Sequence, residues 1–157
     1  MAVKAIPDGY HAVTPYLIVK GATRALEFYK RAFGAVELLR MDGPDGTIGH
    51  AEIAIGKAIV MLADECPAMH ALSPVTIGGT AASFLIYVED VDKVFQQALK
   101  AGALQLQPVE NKFYGDRMGT LKDPFGHQWA LGTHVEDVSP EEMGRRAAEM
   151  AKAGAKG

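Results

Sequence analysis

His50 and Glu52 lie two positions apart in the alternating run His50-Ala51-Glu52-Ile53-Ala54-Ile55. If that run is a strand, its period of two puts both side chains on one face. An imidazole beside a carboxylate can polarise a substrate, shuttle a proton or supply part of an unusual metal site. The plainer alternative is a solvated strand face near a sheet rim. Gly56-Lys57 reads as a two-residue hairpin turn, with Ala58 to Leu62 as the returning strand. That register sets Ile55 opposite Ala58, Ile53 opposite Val60 and Glu52 opposite Met61, so that His50, Glu52 and Met61 share a face. A second polar group, Tyr114-Gly115-Asp116-Arg117, reads as a loop entering a strand. There the arginine could clamp a carboxylate or phosphate, or an Asp–Arg pair could simply stabilise a bend.

The remaining chemistry-bearing residues are more sparsely placed. His11, His70, His127 and His134 have no partner at metal-ligand spacing, and His134 is expected beyond the last strand. Cys66 precedes Pro67 and reads as an inert loop thiol. No Gly-x-Ser-x-Gly occurs, and Ser73 and Ser139 read as linker and cap. Gly43-Pro44-Asp45-Gly46 leads into a strand rather than a helix, which argues against a nucleotide-type cofactor turn and a methyltransferase.

These residues need a frame. Tyr16 to Val19 reads as a strand. Ala22, Ala25, Leu26, Tyr29, Ala32 and Phe33 recur at helical spacing, with Gly34 as the stop, and Val36 to Met41 reads as a strand. The same order returns downstream: a strand over Ser83 to Val88, a helix from Asp90 as N-cap to Ala101, Gly102 as the stop, and a strand over Leu104 to Leu106. Gln107 to Gly115 reads as irregular. Met118 to Leu121 and Gln128 to Gly132 read as strands around the turn Asp123-Pro124-Phe125-Gly126, with Trp129 and Leu131 in the core. Val19 matches Val88 at an offset of 69, and Gly34 matches Gly102 at 68. The fold class is therefore α+β: two βαβββ modules with helices on one face of curved mixed sheets. Ser139-Pro140-Glu141-Glu142 opens a C-terminal helix with a capping box, and Met143, Ala147, Met150 and Ala151 give it one weakly apolar face.

Length and composition narrow the function classes. The chain has 157 residues, 16 basic against 19 acidic, which suits one compact domain and disfavours nucleic acid or an anionic membrane as partner. Its single cysteine fits a reducing cytoplasm. Met1 to Pro7 lacks the apolar stretch of a signal peptide, and no apolar run reaches membrane-spanning length.

The duplicated pattern resembles the vicinal oxygen chelate superfamily of glyoxalase, bleomycin-resistance and extradiol dioxygenase proteins. Pro15-Tyr16-Leu17, Phe28-Tyr29 before Phe33-Gly34, Met61 to Glu65, Tyr87 to Asp92, Tyr114 to Arg117 and Asp123 to His127 are similar to PhnB-like proteins. The resemblance covers Gly9 to His134. It implies one domain over 9–134 (module one 9–65, linker 66–82, module two 83–134) whose two modules form a curved mixed sheet around a cavity, and a homodimer; the capped C-terminal helix makes 135–157 a helical tail. It also implies a divalent metal held by four positions, here Thr14, Met61, Ser83 and Ala130. A thioether and a methyl cannot replace carboxylates for a hard ion, and hydroxyls are weak neutral ligands. Tyr16, Ser83 and Tyr87 share the parity of those positions and are expected to line the cavity.

The resulting expectation is a small-molecule-binding protein without metal or other cofactor. Its ligand residues are Tyr16, His50, Glu52, Met61, Ser83, Tyr87, Tyr114, Asp116 and Arg117, with His50 and Glu52 the candidates for any catalysis. The alternatives are a metal-dependent lyase, isomerase or dioxygenase using displaced ligands, and an interaction protein using its C-terminal helix.

Overall fold

The computed structural model describes residues 3–154. The first two residues of the Met1 to Pro7 stretch and the last three of the expected tail lie outside the described residues. Module one runs β1 (Tyr16–Val19), α1 (Ala22–Phe33), β2 (Val36–Asp42), β3 (Ile48–Ile55) and β4 (Ala58–Asp64). A connection holding a 3₁₀ turn (Pro67–Met69) and the one-turn helix α2 (Pro74–Ile77) leads to module two. That module is β5 (Ser83–Tyr87), α3 (Val91–Ala101), β6 (Leu104–Asn111), β7 (Asp116–Lys122) and β8 (Gln128–His134), and α4 (Pro140–Gly154) follows.

Each module forms its own four-stranded sheet, ordered β1-β4-β3-β2 and β5-β8-β7-β6. The expected hairpin register holds, with Ile55 opposite Ala58, Ile53 opposite Val60 and Glu52 opposite Met61. The repeat extends to register: Tyr16 pairs with Met61 in the first sheet, and Leu85 with Ala130, 69 positions on, in the second. Two expectations are corrected. The segment from Gln107 continues β6 as far as Asn111, because β7 begins at Asp116 and supplies its hydrogen-bonding edge through register shifts. His134 closes β8 opposite Asp116 rather than lying beyond the strand.

Helices α1 and α3 pack on each other and on one face of the sheets. Ala25, Leu26, Phe28 and Tyr29 of α1 are buried with Val91, Phe95 and Ala98 of α3, against Leu17, Ile53, Val60, Leu62, Leu121, Trp129 and Leu131. Each large apolar side chain so buried stabilises the fold by about 2 kcal/mol. Gly34 and Gly102 end the two helices in the left-handed conformation, as their positions predict. At the start of α1, Asp64 accepts from the Gly21 and Ala22 amides at 2.8 and 2.9 Å; at the start of α3, Thr133, its equivalent 69 positions on, accepts from Val91 at 2.9 Å. Both satisfy donors that a helix N-terminus leaves free.

Three polar ties join the modules: Tyr29 to Asp123, the His127 ring to the Ile18 carbonyl at 3.0 Å, and the Gln97 amide to the Ala32 carbonyl at 3.1 Å. Helix α4 buries no side chain. It is capped by Ser139, whose hydroxyl accepts from the Glu142 amide at 3.2 Å, and tethered by Arg146 to Glu136 at 2.7 Å. Of its mildly apolar face, Met143 and Ala147 are half-buried and Met150 and Ala151 exposed.

Candidate functional site

One row of residues crosses the face of the first sheet turned away from α1. Tyr16 on β1, Met61 on β4, Glu52 on β3 and Leu39 on β2 are successive Cα partners. The opposite parity (Leu17, Leu62, Ala51) is buried in the core, and that alternation fixes which side chains the row presents. His50 sits one step along β3 on the same face.

The polar members form a chain of hydrogen bonds. The Tyr10 hydroxyl donates to Glu52 Oε2 in a short contact, His50 Nε2 lies 3.1 Å from Glu52 Oε1, and the Tyr16 hydroxyl lies 2.8 Å from His50 Nδ1. Hydrogen bonds from Tyr10 first and His50 second hold the Glu52 carboxyl below its ordinary 4.5, against the opposing pull of burial. Ionised Glu52 can only accept, so His50 Nε2 donates to it, and Nδ1 is bonded to the Tyr16 hydroxyl. Burial, and then the charge of Glu52, push the Tyr16 phenol above 10.0 and keep it a donor. Glu52 is one of few buried charged residues, with its side chain 12% exposed. A cavity of about 720 Å³ opens over it, bounded by Met61, Thr14 and the segment carrying Ile6, Pro7 and Tyr10.

A second polar cluster lies on the other sheet. Asp116 accepts from the Tyr87 hydroxyl at 2.7 Å and from His134 Nδ1 at 2.8 Å, while His134 Nε2 bonds Asp137 at 2.9 Å. With a carboxylate at each nitrogen, both nitrogens donate; the bonds to Asp137 and then Asp116 raise the His134 pKa above 6.5. Burial pushes the Asp116 carboxyl up, but hydrogen bonds from His134 and Tyr87 outweigh it and leave the carboxyl below 3.8.

The nine candidates thus divide. Tyr16, His50, Glu52 and Met61 gather on the first sheet, and Tyr87 and Asp116 on the second. Ser83 and Tyr87 line a larger cleft of about 1020 Å³ beside edge strand β5, whose floor is largely aromatic and aliphatic (Phe33, Trp129, Ile55). We place the candidate site at the smaller cavity, because there a buried charge meets hydrogen-bond partners at the cavity wall. The Tyr114 hydroxyl bonds the Met118 sulfur. Arg117 is engaged as a structural pair, though with a different acid than the sequence suggested: its guanidinium forks onto Asp92 in the first turn of α3, both contacts at 2.7 Å. Strand alternation turns Arg117 to the face opposite Asp116, so the two neighbours cannot pair.

Sequence reasoning missed Tyr10, whose contact with Glu52 spans 42 positions and leaves no local signal. It also missed His134 as a partner of Asp116; carrying the β8 alternation two residues further would have found it.

The metal implied by the resemblance does not suit these residues. Thr14 and Met61 border the smaller cavity and Ser83 the larger cleft, while Ala130 offers no donor. Among the described residues, no three His, Cys, Asp or Glu side chains are grouped to hold an ion.

Comparisons with known proteins agree with the fold. A family described as Glyoxalase/Bleomycin resistance protein/Dioxygenase superfamily matches residues 10–131. An uncharacterised protein of Mycobacterium bovis is 42% identical over 146 residues, covering 91% of this chain and 93% of that one. Among solved structures, TioX from Micromonospora sp. ML1 is 29% identical over 82% of this chain and 100% of its own, with a TM-score of 0.62. A Bacillus cereus PhnB protein, described as a putative 3-demethylubiquinone-9 3-methyltransferase, is 22% identical over 78% of this chain and 99% of its own, TM-score 0.62.

Proposed function

We propose, since this chain belongs to the glyoxalase/bleomycin resistance protein/dioxygenase superfamily, that it binds a small organic molecule on the open face of its first sheet, without the divalent metal of its enzymatic relatives. The observation that carries this reading is the buried Glu52, hydrogen-bonded to His50 and Tyr10 beneath a cavity of about 720 Å³. That volume is in the range of small-molecule sites, and fixed polar groups in an otherwise apolar wall supply orientation. Glu52 and Met61, at the cavity wall, contact the ligand, and His50 and Tyr16 orient Glu52 through the hydrogen-bonded chain behind it; Tyr114 and Arg117 act in the frame. The displaced-ligand alternative would draw on His50 and Glu52, which are hydrogen-bonded to each other, and among the described residues no third His, Cys, Asp or Glu is grouped with them to hold an ion.

The functional unit in this reading is a cytoplasmic homodimer. Leu85, Tyr87, Leu104 and Leu106 of the second module are exposed large apolar side chains, which a second copy would cover. The partners are a small molecule and a second chain, not nucleic acid or membrane; among the described residues no helix is long and apolar enough to cross a membrane.

A thermal-shift screen against metabolites and divalent metals tests the proposal, because a ligand of the native state raises the midpoint by mass action. The expected result is a metabolite hit that Glu52→Ala and His50→Ala each abolish, with well under one metal equivalent in protein purified without chelator. Hits indifferent to both substitutions, or a full equivalent of zinc, nickel, iron or manganese, overturn it.

A further inference from the structure

Glu52 spends its two oxygens on different kinds of partner. Oε1 faces His50, on the same strand; Oε2 is taken by the hydroxyl of Tyr10, in a segment of irregular backbone ahead of β1. We propose that Tyr10 holds the place of the ligand's own hydroxyl, and that the pocket takes an uncharged hydroxyaryl molecule that displaces Tyr10 from Glu52. This rests on the binding reading above and names the ligand class.

Three features select that class. The displaced group must be a donor, because ionised Glu52 accepts only and His50 donates to its other oxygen. Anions are rejected: among the described residues no lysine or arginine borders the cavity, and the one nearby in sequence, Lys4, is paired with Asp8 at 2.6 Å. A carboxylate or phosphate would be repelled by Glu52, and among the described lining residues only the His11 ring is there to offset it. The apolar wall from Ile6, Pro7 and Met61 suits a ring. A phenol in that setting is the interaction the chain already makes with itself.

Displacement has a measurable consequence. A ligand competing with Tyr10 binds with its affinity reduced by the fraction of molecules in which Tyr10 is away, so removing the competing hydroxyl tightens binding. The test titrates p-cresol, 4-methylanisole and 4-methylbenzoate into the wild-type chain and Tyr10→Phe, following carbon-13-labelled tyrosine rings by NMR. Tyr10 is assigned by its loss in the variant. The expected result is p-cresol binding about tenfold more tightly to Tyr10→Phe, the gain of one charge-assisted hydrogen bond. The anisole and the benzoate bind at least about tenfold more weakly than p-cresol to either protein. In the wild type, p-cresol moves the Tyr10 signal and the other probes do not, a readout independent of how the variant folds. Equal affinity for the cresol and the anisole, preference for the benzoate, or a Tyr10 signal unmoved by bound cresol overturns the hydroxyaryl assignment while leaving the pocket. Absence of binding by every probe to both proteins overturns the assignment, and a metabolite screen equally blank overturns the pocket with it.

Discussion

Tyr29, on the helix of the first module, donates its hydroxyl to Asp123 in the second across 2.7 Å of fully buried interior. The same carboxylate accepts from the Trp129 indole at 2.9 Å and from the Phe125 and His127 amides, each at 2.9 Å. One acid therefore closes the turn before β8 and binds the two modules together. Burial, with the Asp123 charge next, pushes the Tyr29 phenol well above 10.0, so it remains a donor across the accessible pH range.

Removing the hydroxyl alone, in Tyr29→Phe, costs about 1–2 kcal/mol in urea unfolding. Asp123→Ala costs more, about 3–5 kcal/mol, because four donors lose their acceptor and two belong to buried aromatic side chains. Equal midpoints for the two variants would show that the carboxylate is not the centre of the knot.

Gly115 has φ +98°, and a methyl built on it would lie 2.0 Å from the Glu136 carbonyl oxygen. Its own carbonyl accepts from the Val135 and Glu136 amides at 2.9 and 3.0 Å. Gly115→Ala is expected to destabilise by about 2 kcal/mol or more and to loosen the connection into α4. Limited proteolysis reads this directly: cleavage after His134 accelerates in the variant. An unchanged cleavage pattern refutes the tether.

The two polar clusters respond to pH in opposite directions. His134 has its folded pKa above 6.5, so its stabilising effect is full below 6.5 and lost as pH rises through the folded value. Glu52 has its folded pKa below 4.5, so its effect is present above 4.5 and lost as pH falls through the folded value. Thermal midpoints recorded across pH should thus lose an alkaline-side decline in His134→Gln and an acid-side decline in Glu52→Gln. Variants that merely parallel the wild-type curve would refute the assignments.

Light scattering after gel filtration is expected to give twice the chain mass of 16.8 kDa. Leu85 is 47% exposed on the outward face of β5, and Leu85→Glu should yield the monomer without loss of helix or strand signal. A wild-type monomer at micromolar concentration removes the dimer.

The frame was legible in the sequence because its signals are local. Helical stripes, glycine stops, the Gly56-Lys57 turn and the offset of 69 each act over a few residues or repeat at fixed spacing. The turn alone set Glu52 opposite Met61, and so put its carboxylate on the face that Met61 shares. What escaped depends on distant chain. Tyr10 reaches Glu52, Asp92 takes Arg117, and Asp123 collects Tyr29, each decided by packing of the modules rather than by nearby residues. The strand at Gln107 escaped for a related reason. Pro108 and the glutamines carry weak strand propensity, and pairing with β7 overrides it.

The duplicated register leaves the chain holding a blank copy of the candidate site. In the second sheet, the row equivalent to Tyr16, Met61 and Glu52 is Leu85, Ala130 and Thr120, with no ionisable group among them. Recognition can therefore be sought as a gain as well as a loss: a carboxylate grafted at Thr120 meets the same backbone geometry as Glu52, without Tyr10 to cover it. The molecule supplies its own control.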